Sequence, residues 1–341
     1  MASKTFGIDF GTSTIKIYKK NEGIVLDERN IIAIQNRKNV IAVGDEAYEM
    51  HEKAPTNINV TYPIRNGVIA DFNSMVDLIN HVNGQIGAKS STFQSTEFIV
   101  ATPTDITEVE RRAFYDLILS SNAKAKKVRM VEKPIADALG VDLDVTSARG
   151  IMVVNIGADT TEVSVLALGG IVLSKLIPVG GNKLDESIKT YVKKKYNLII
   201  GDKTAETIKK ELASAVPVEE SEISVYGRDV VTGLPLEMQI SSSMVYESIS
   251  EYLYSIVDAI RIILERTPPE ISSDIIDSGI YITGGSANIR NLDQLISKET
   301  DLQINIAANA ANSVVAGLGK IIDDPNFNSL AAPLKETYFV G

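Results

Sequence analysis

Along this chain one pattern of apolar and polar positions occurs twice. Residues 151–154 form a short apolar run that enters a turn at Gly157. A threonine-rich segment at Thr160 and Thr161 opens a second run, and Gly169-Gly170 precedes a third. The N-terminal stretch has the same plan: a run over 5–9, the turn Gly11-Thr12-Ser13-Thr14, a run over 15–18, then Glu22-Gly23 and a run over 24–26. The offset from Asp9 to Gly11 equals that from Asn155 to Gly157, so the pattern predicts one strand–turn–strand unit used twice. Two such units facing each other across a cleft would bring turn N–H groups and hydroxyls to bear on phosphates from two sides.

Periodicity gives the remaining elements. Residues 35–66 are mixed, with a strand over 40–43, a short helix over 45–52 and then loops containing Pro and Asn. Too small to fold alone, this segment reads as an inserted subdomain. A helix is predicted over 75–82, a polar loop over 84–95 around Phe93, and a strand over 97–101. Thr107 and Glu110 have capping-box spacing and open a helix with Val109, Ala113 and Leu117 on one face. After a strand over 128–131, Pro134 suits the first turn of a helix ending near Gly140.

Helices are predicted over 184–196 and 204–214, and residues 222–241 contain two strands around Thr232-Gly233. Val245, Ile249, Leu253, Ile256, Ile260 and Ile263 form the stripe of one long helix over 242–266, ended by Pro268-Pro269. A strand over 280–283 runs into Gly284-Gly285-Ser286 and a helix. A last helix covers 310–322, and the tail past Asp323 is expected to be loose. Hairpins followed by βαβα order predict an α/β fold of mixed sheets with flanking helices.

Composition then excludes whole classes of function. The 341 residues suffice for two domains. A net charge of −10 argues against a general nucleic-acid binder. Without Cys there are no disulfides and no thiolate chemistry, which fits a reducing cytosol. The chain enters a strand at once with no apolar leader, and no apolar run approaches the roughly 18 residues of a membrane span. His51 and His81 have no ligand cluster in the sequence around them, so a zinc site is not expected.

An ordered series of segments carries a family resemblance. IDFGTSTIKIY, TEVERRAFYDLIL, VEKPIADALG, TTEVSVLALGGIV, TAETIKKE, LERTPPEISSDIIDSGIYITGG and AGLGK resemble, in this order, segments of the bacterial actin MreB family. That family lies within the actin, sugar-kinase and heat-shock-chaperone superfamily, and the resemblance spans nearly the whole chain. It implies two similar domains with mixed five-stranded sheets and flanking helices around a nucleotide cleft. The first core subdomain would be 1–34, 67–146 and 313–341, with 35–66 inserted. The second would be 147–182 and 243–312, with 183–242 as its small subdomain.

The same resemblance implies ATP and Mg²⁺ in the cleft and head-to-tail assembly into protofilaments that pair. Antiparallel pairing and copolymerisation with paralogues are both open. It places the protein in the cytoplasm, with a peripheral position at the inner face of the cell membrane left open. The loop over 87–93, with Phe93 and Lys89, offers little area for insertion, so membrane contact has little support. Leu334, Tyr338, Phe339 and Val340 read as a frayed end rather than a partner-binding tail. A chaperone domain would be followed by a peptide-binding domain, and a sugar kinase would supply a base for a sugar hydroxyl; the chain shows neither.

Carried onto matching positions, the resemblance assigns Asp9, Gly11, Thr12, Ser13 and Thr14 to the β-phosphate, with Asp9 reaching Mg²⁺ through water. An ordinary hairpin turn is the plainer alternative. Gly157, Ala158, Asp159 and Thr160 become the second phosphate loop. Glu206, Thr207, Ile208 and Lys209 match the adenosine side. The i, i+3 spacing sets Glu206 and Lys209 on one helix face, where a surface ion pair is the plainer reading. Gly284, Gly285, Ser286 and Ala287 would pass beneath the adenosine and α-phosphate, or form a simple strand-to-helix turn.

Three departures from the family pattern stand out. Lys133 replaces the Glu that orients the attacking water, Asn155 replaces an acid that orders metal waters, and Ala158 and Asp159 replace glycines. A charged lysine cannot accept a proton, and a helix N-terminus disfavours a cation. An ion pair between Lys133 and Asp159 would offset both costs; independent drift is the alternative. Hydrolysis is therefore expected to be weak or very slow, with Thr160 keeping the remaining water-side position. The departures, with the lack of Cys and Trp, are similar to those of paralogues from wall-less helical bacteria. A fully active cycling ATPase and a non-polymerising regulatory paralogue remain the alternatives.

Overall fold

The computed structural model describes residues 4–88 and 95–334. Lys89, Phe93, Tyr338, Phe339 and Val340 lie outside these. The described chain divides into two units. One comprises Arg149–Val165 with Val172–Ala311, and the other comprises the remaining segments.

Each unit is built on a five-stranded sheet. The first uses Lys4–Phe10, Thr14–Lys19, Gly23–Arg29, Thr96–Thr102 and Lys127–Glu132; the second uses Ile151–Ile156, Thr161–Ala167, Gly170–Ile177, Ile280–Thr283 and Ile304–Ile306. Numbered within its own sheet, each set has the spatial order third, second, first, fourth, fifth. The doubled sequence pattern is thus a doubled topology. Lys4–Phe10 is central, antiparallel to Thr14–Lys19 and parallel to Thr96–Thr102. Every residue from Thr5 to Phe10 is buried, as expected for a strand covered on both faces.

The helix over 242–266 is observed as Ser242–Arg266, with all six stripe residues buried. The capping box forms: Thr107 N–H donates to Glu110 Oε2 at 2.8 Å, and Glu110 N–H donates to Thr107 Oγ1 at 3.2 Å. The face of that helix differs from expectation. Phe114, Leu117 and Ile118 are buried, whereas Val109 is 80% exposed. The helix meets its sheet with its second half, and the first turn stands clear.

Two further expectations are corrected. The Pro- and Asn-containing stretch after residue 52 is not all loop: Ile58–Thr61 pairs with Ile32–Gln35, and Ile64–Arg65 pairs with Val68–Ile69. Nor are residues 324–334 loose. Pro325–Leu330 is a 3-10 helix, Met130 and Ala332 form a β-bridge, and Arg129 donates to Asn328 O at 2.9 Å. Leu334 packs, partly buried, against the first unit's core.

Two helices of the first unit cross backbone to backbone. A Cβ on Gly140, at the end of Lys133–Gly140, would lie 1.7 Å from Ser313 O, and one on Gly317, within Ser313–Asp323, would lie 1.7 Å from Ala136 O. Among the described residues, no helix is long and apolar enough to cross a membrane.

Candidate functional site

The first repeated turn is held from behind. Asn30, buried, donates from Nδ2 to Gly11 O at 2.7 Å and from its N–H to Ser13 O at 2.9 Å; Arg29 donates to Ser13 Oγ at 3.1 Å. A Cβ on Gly11 would stand 2.7 Å from Thr14 O, and one on Gly157 would stand 3.1 Å from Thr160 O. Each glycine thus faces the carbonyl three residues on, and in the second turn Gly157 N–H donates to Thr160 O at 2.8 Å.

A row of charge crosses the sheet beside the first turn. Lys16 is in register with Asp9 on one neighbouring strand and with Asp27 on the other, so the three side chains share a face. Lys16 Nζ lies 2.8 Å from Asp27 Oδ2 and also donates to Asn312. Asp9 turns the other way: its Oδ1 lies 2.9 Å from Lys133 Nζ. The contact is close but off the axis of a hydrogen bond, and that buried oxygen has no hydrogen-bond partner among the described residues. The carboxylate expected to face a metal's water shell therefore faces an ammonium. Glu132, one position earlier, points elsewhere, with Oε1 3.9 Å from Arg111. The expected Lys133–Asp159 pair would join the two units; within its own unit, Lys133 meets Asp9 and Asp159 accepts from Asn182.

In the second unit several glycines converge on the second turn. Gly181–Tyr196 is a helix whose first N–H groups bind the turn: Gly181 N–H donates to Gly157 O at 3.0 Å and Asn182 N–H to Ala158 O at 2.7 Å. A Cβ on Gly180 would stand 2.6 Å from Ala158 O. Asn182 Nδ2 holds Asp159 Oδ1 at 2.8 Å. From the other side, Ser286 Oγ donates to Gly157 O at 3.0 Å. Gly284 has φ +83°, and a Cβ there would lie 2.4 Å from Ile156 O. Gly285 is exposed, and a Cβ there would meet nothing within 4 Å.

The helix Asp202–Leu212 supplies Lys209, which donates to Gly181 O at 2.9 Å and to Asp185 Oδ2 at 2.7 Å. Burial pushes the Asp185 carboxyl above its usual range, against the pull of Lys209. Glu206 sits 2.8 Å from Lys210. Thr207 Oγ1 donates back to Lys203 O at 3.0 Å. Ile208 and Ala287 are buried in the second unit's core, so any part they take is through the backbone they position.

Sequence reasoning singled out neither Asn30 nor Lys16, nor Gly180, Asn182 and Asp185. Lys16 had a signal, a charge between two apolar residues on a buried strand. The Gly180-Gly181 pair had one too, at a strand-to-helix junction. Asp185 had none, because its partner lies in another helix.

Comparison with known proteins agrees with this architecture. A family model described as MreB/Mbl protein matches residues 3–329. The chain is 40% identical over 329 residues to the cell shape-determining protein MreB of Escherichia coli, covering 95% of this chain and 94% of that one. It is 39% identical over 326 residues to the cell shape-determining protein Mbl of Bacillus subtilis, covering 95% and 97%. The crystal structure of MreB5 of Spiroplasma citri bound to AMPPNP superposes with a TM-score of 0.89 at 32% identity, covering 94% of this chain and 96% of that one. The ADP-bound form gives 0.88 at 33%, with the same coverage. With a doubled sheet, doubled glycine turns and a match over nearly its whole length, the chain belongs to the MreB/Mbl family and has its actin-like fold.

Proposed function

We propose that this chain binds ATP through its two repeated turns and assembles with itself into cytoskeletal filaments that set cell shape or serve motility, while hydrolysing ATP slowly. The observation that carries the nucleotide reading is the second turn. Three separate elements bring Gly157, Gly180-Gly181 and Gly284-Gly285 to one place, with Lys209 and Ser286 fixed beside them. Glycine lets these segments pack against one another, which would present the turn's backbone to phosphate and base. The AMPPNP- and ADP-bound structures of the Spiroplasma citri relative support the same reading. Self-assembly follows from family membership, and the cytoplasm is its setting.

Slow hydrolysis rests on Lys133. Phosphoryl transfer depends on placing the nucleophile and neutralising charge. Lys133 offers no acceptor for the water's proton, and Glu132 is turned toward Arg111. Thr160 is left as the residue on the water side.

Nucleotide binding is tested with a fluorescent ATP analogue. Saturable binding is expected, weakened about tenfold or more by Gly284→Ala, the equivalent of at least about 1.4 kcal/mol. No saturable binding under any ionic condition would contradict the proposal.

A further inference from the structure

The geometry points to Lys133 as a resident cation that takes the place of a divalent ion at Asp9, so that this chain holds a nucleoside di- or triphosphate with little need for one. The inference rests on the nucleotide reading above and concerns what neutralises the phosphates. Its basis is the ion pair between Lys133 and Asp9, 2.9 Å apart with side chains only 15% and 13% exposed.

Three observations favour this role over a chance surface pairing. First, the acids that could order a metal's water shell are depleted. Asn155, at the position in the second repeat equivalent to Asp9, is a neutral amide, and Glu132 faces Arg111. Asp9 keeps its carboxylate, and Lys133 engages it. Mg²⁺ keeps several waters and needs acceptors with room around them, whereas an ammonium 2.9 Å from Asp9 takes up that room and repels the ion. Second, the neighbouring lysine does not compete. Lys16 shares the face but turns to Asp27 and Asn312, leaving Asp9 to Lys133.

Third, the placement is costly without an anion nearby. Lys133 is the first residue of the helix Lys133–Gly140, where the helix dipole opposes a cation. Asp9 cancels one charge. A polyphosphate at the turn Gly11–Thr14, which begins two residues after Asp9, would supply more negative charge than the lysine adds.

The test is binding of a fluorescent ATP analogue in excess Mg²⁺ and in excess EDTA, for the natural protein and for Lys133→Gln. The natural protein should bind with affinities that agree within about threefold. Lys133→Gln should weaken at least about tenfold on removal of the metal, because no cation is left at Asp9. A loss of tenfold or more in EDTA for the natural protein would overturn the inference while leaving the nucleotide reading intact. So would the same metal dependence in both proteins. Absence of binding in both conditions would overturn the nucleotide reading, and the inference with it. Circular dichroism of the variant checks its fold, and the comparison of conditions in the natural protein stands without the variant.

Discussion

Replacing Lys133 by glutamate should raise ATP-dependent phosphate release by about 100-fold in the presence of Mg²⁺. General-base assistance contributes about 10²–10⁴-fold in enzymes. The lower end applies because Asn155, Ala158 and Asp159 remain unchanged in the second turn. The substitution also frees Asp9, whose carboxylate now lies 2.9 Å from the ammonium, to face the water shell of a metal. The companion variant Lys133→Gln separates the two effects: it removes the cation without adding a proton acceptor, so its rate should stay well below that of Lys133→Glu. If phosphate release is fast in the natural protein, or does not rise in Lys133→Glu, some other group positions the water. Glu132 would be the first to test, although it faces Arg111.

Gly317→Ala should destabilise the chain by about 3 kcal/mol, at the upper end of ordinary overpacking costs. The sign is the informative part. In a helix interior Ala is favoured over Gly by about 1 kcal/mol, so without the crossing this substitution would stabilise. The added methyl would stand 1.7 Å from Ala136 O, and the obstacle is backbone that cannot rotate away. The helices Lys133–Gly140 and Ser313–Asp323 would have to part, and the first of them carries Lys133 at its N-terminus. Gly140→Ala should behave alike, since its Cβ would meet Ser313 O at the same distance. Chemical denaturation measures the change. A midpoint that is unchanged or raised would show that the helices are not held this close.

Local periodicity accounts for most of what the sequence discloses. The repeated turn predicted one strand–turn–strand unit used twice, because a hairpin's apolar runs and its glycine lie within some twenty residues of one another. The six-residue stripe of the helix Ser242–Arg266 is likewise local, and all of it is buried. What escaped the sequence depends on contacts between distant segments. Residues 324–334 carry little periodicity, yet Arg129 and Met130 tie them down from about 200 positions away. The strand Ile58–Thr61 is four residues long, and its pairing with Ile32–Gln35 is what makes it a strand.

The site shows the same division. The glycines and the Lys133 departure were legible from motif and resemblance. That Lys133 meets Asp9 was not, because two strands and a helix must first assemble to bring residues 9 and 133 together. Asp185 is a similar case. Its burial beside Lys209 arises from the packing of two helices.

The central claim is that this chain assembles on a nucleotide it scarcely hydrolyses. Sedimentation and phosphate release measured on one ATP-containing sample test it most directly. The account predicts that the natural protein pellets as filaments while releasing phosphate far more slowly than Lys133→Glu does. Pelleting only alongside phosphate release at the variant's rate, or no pelleting with ATP at all, would contradict it.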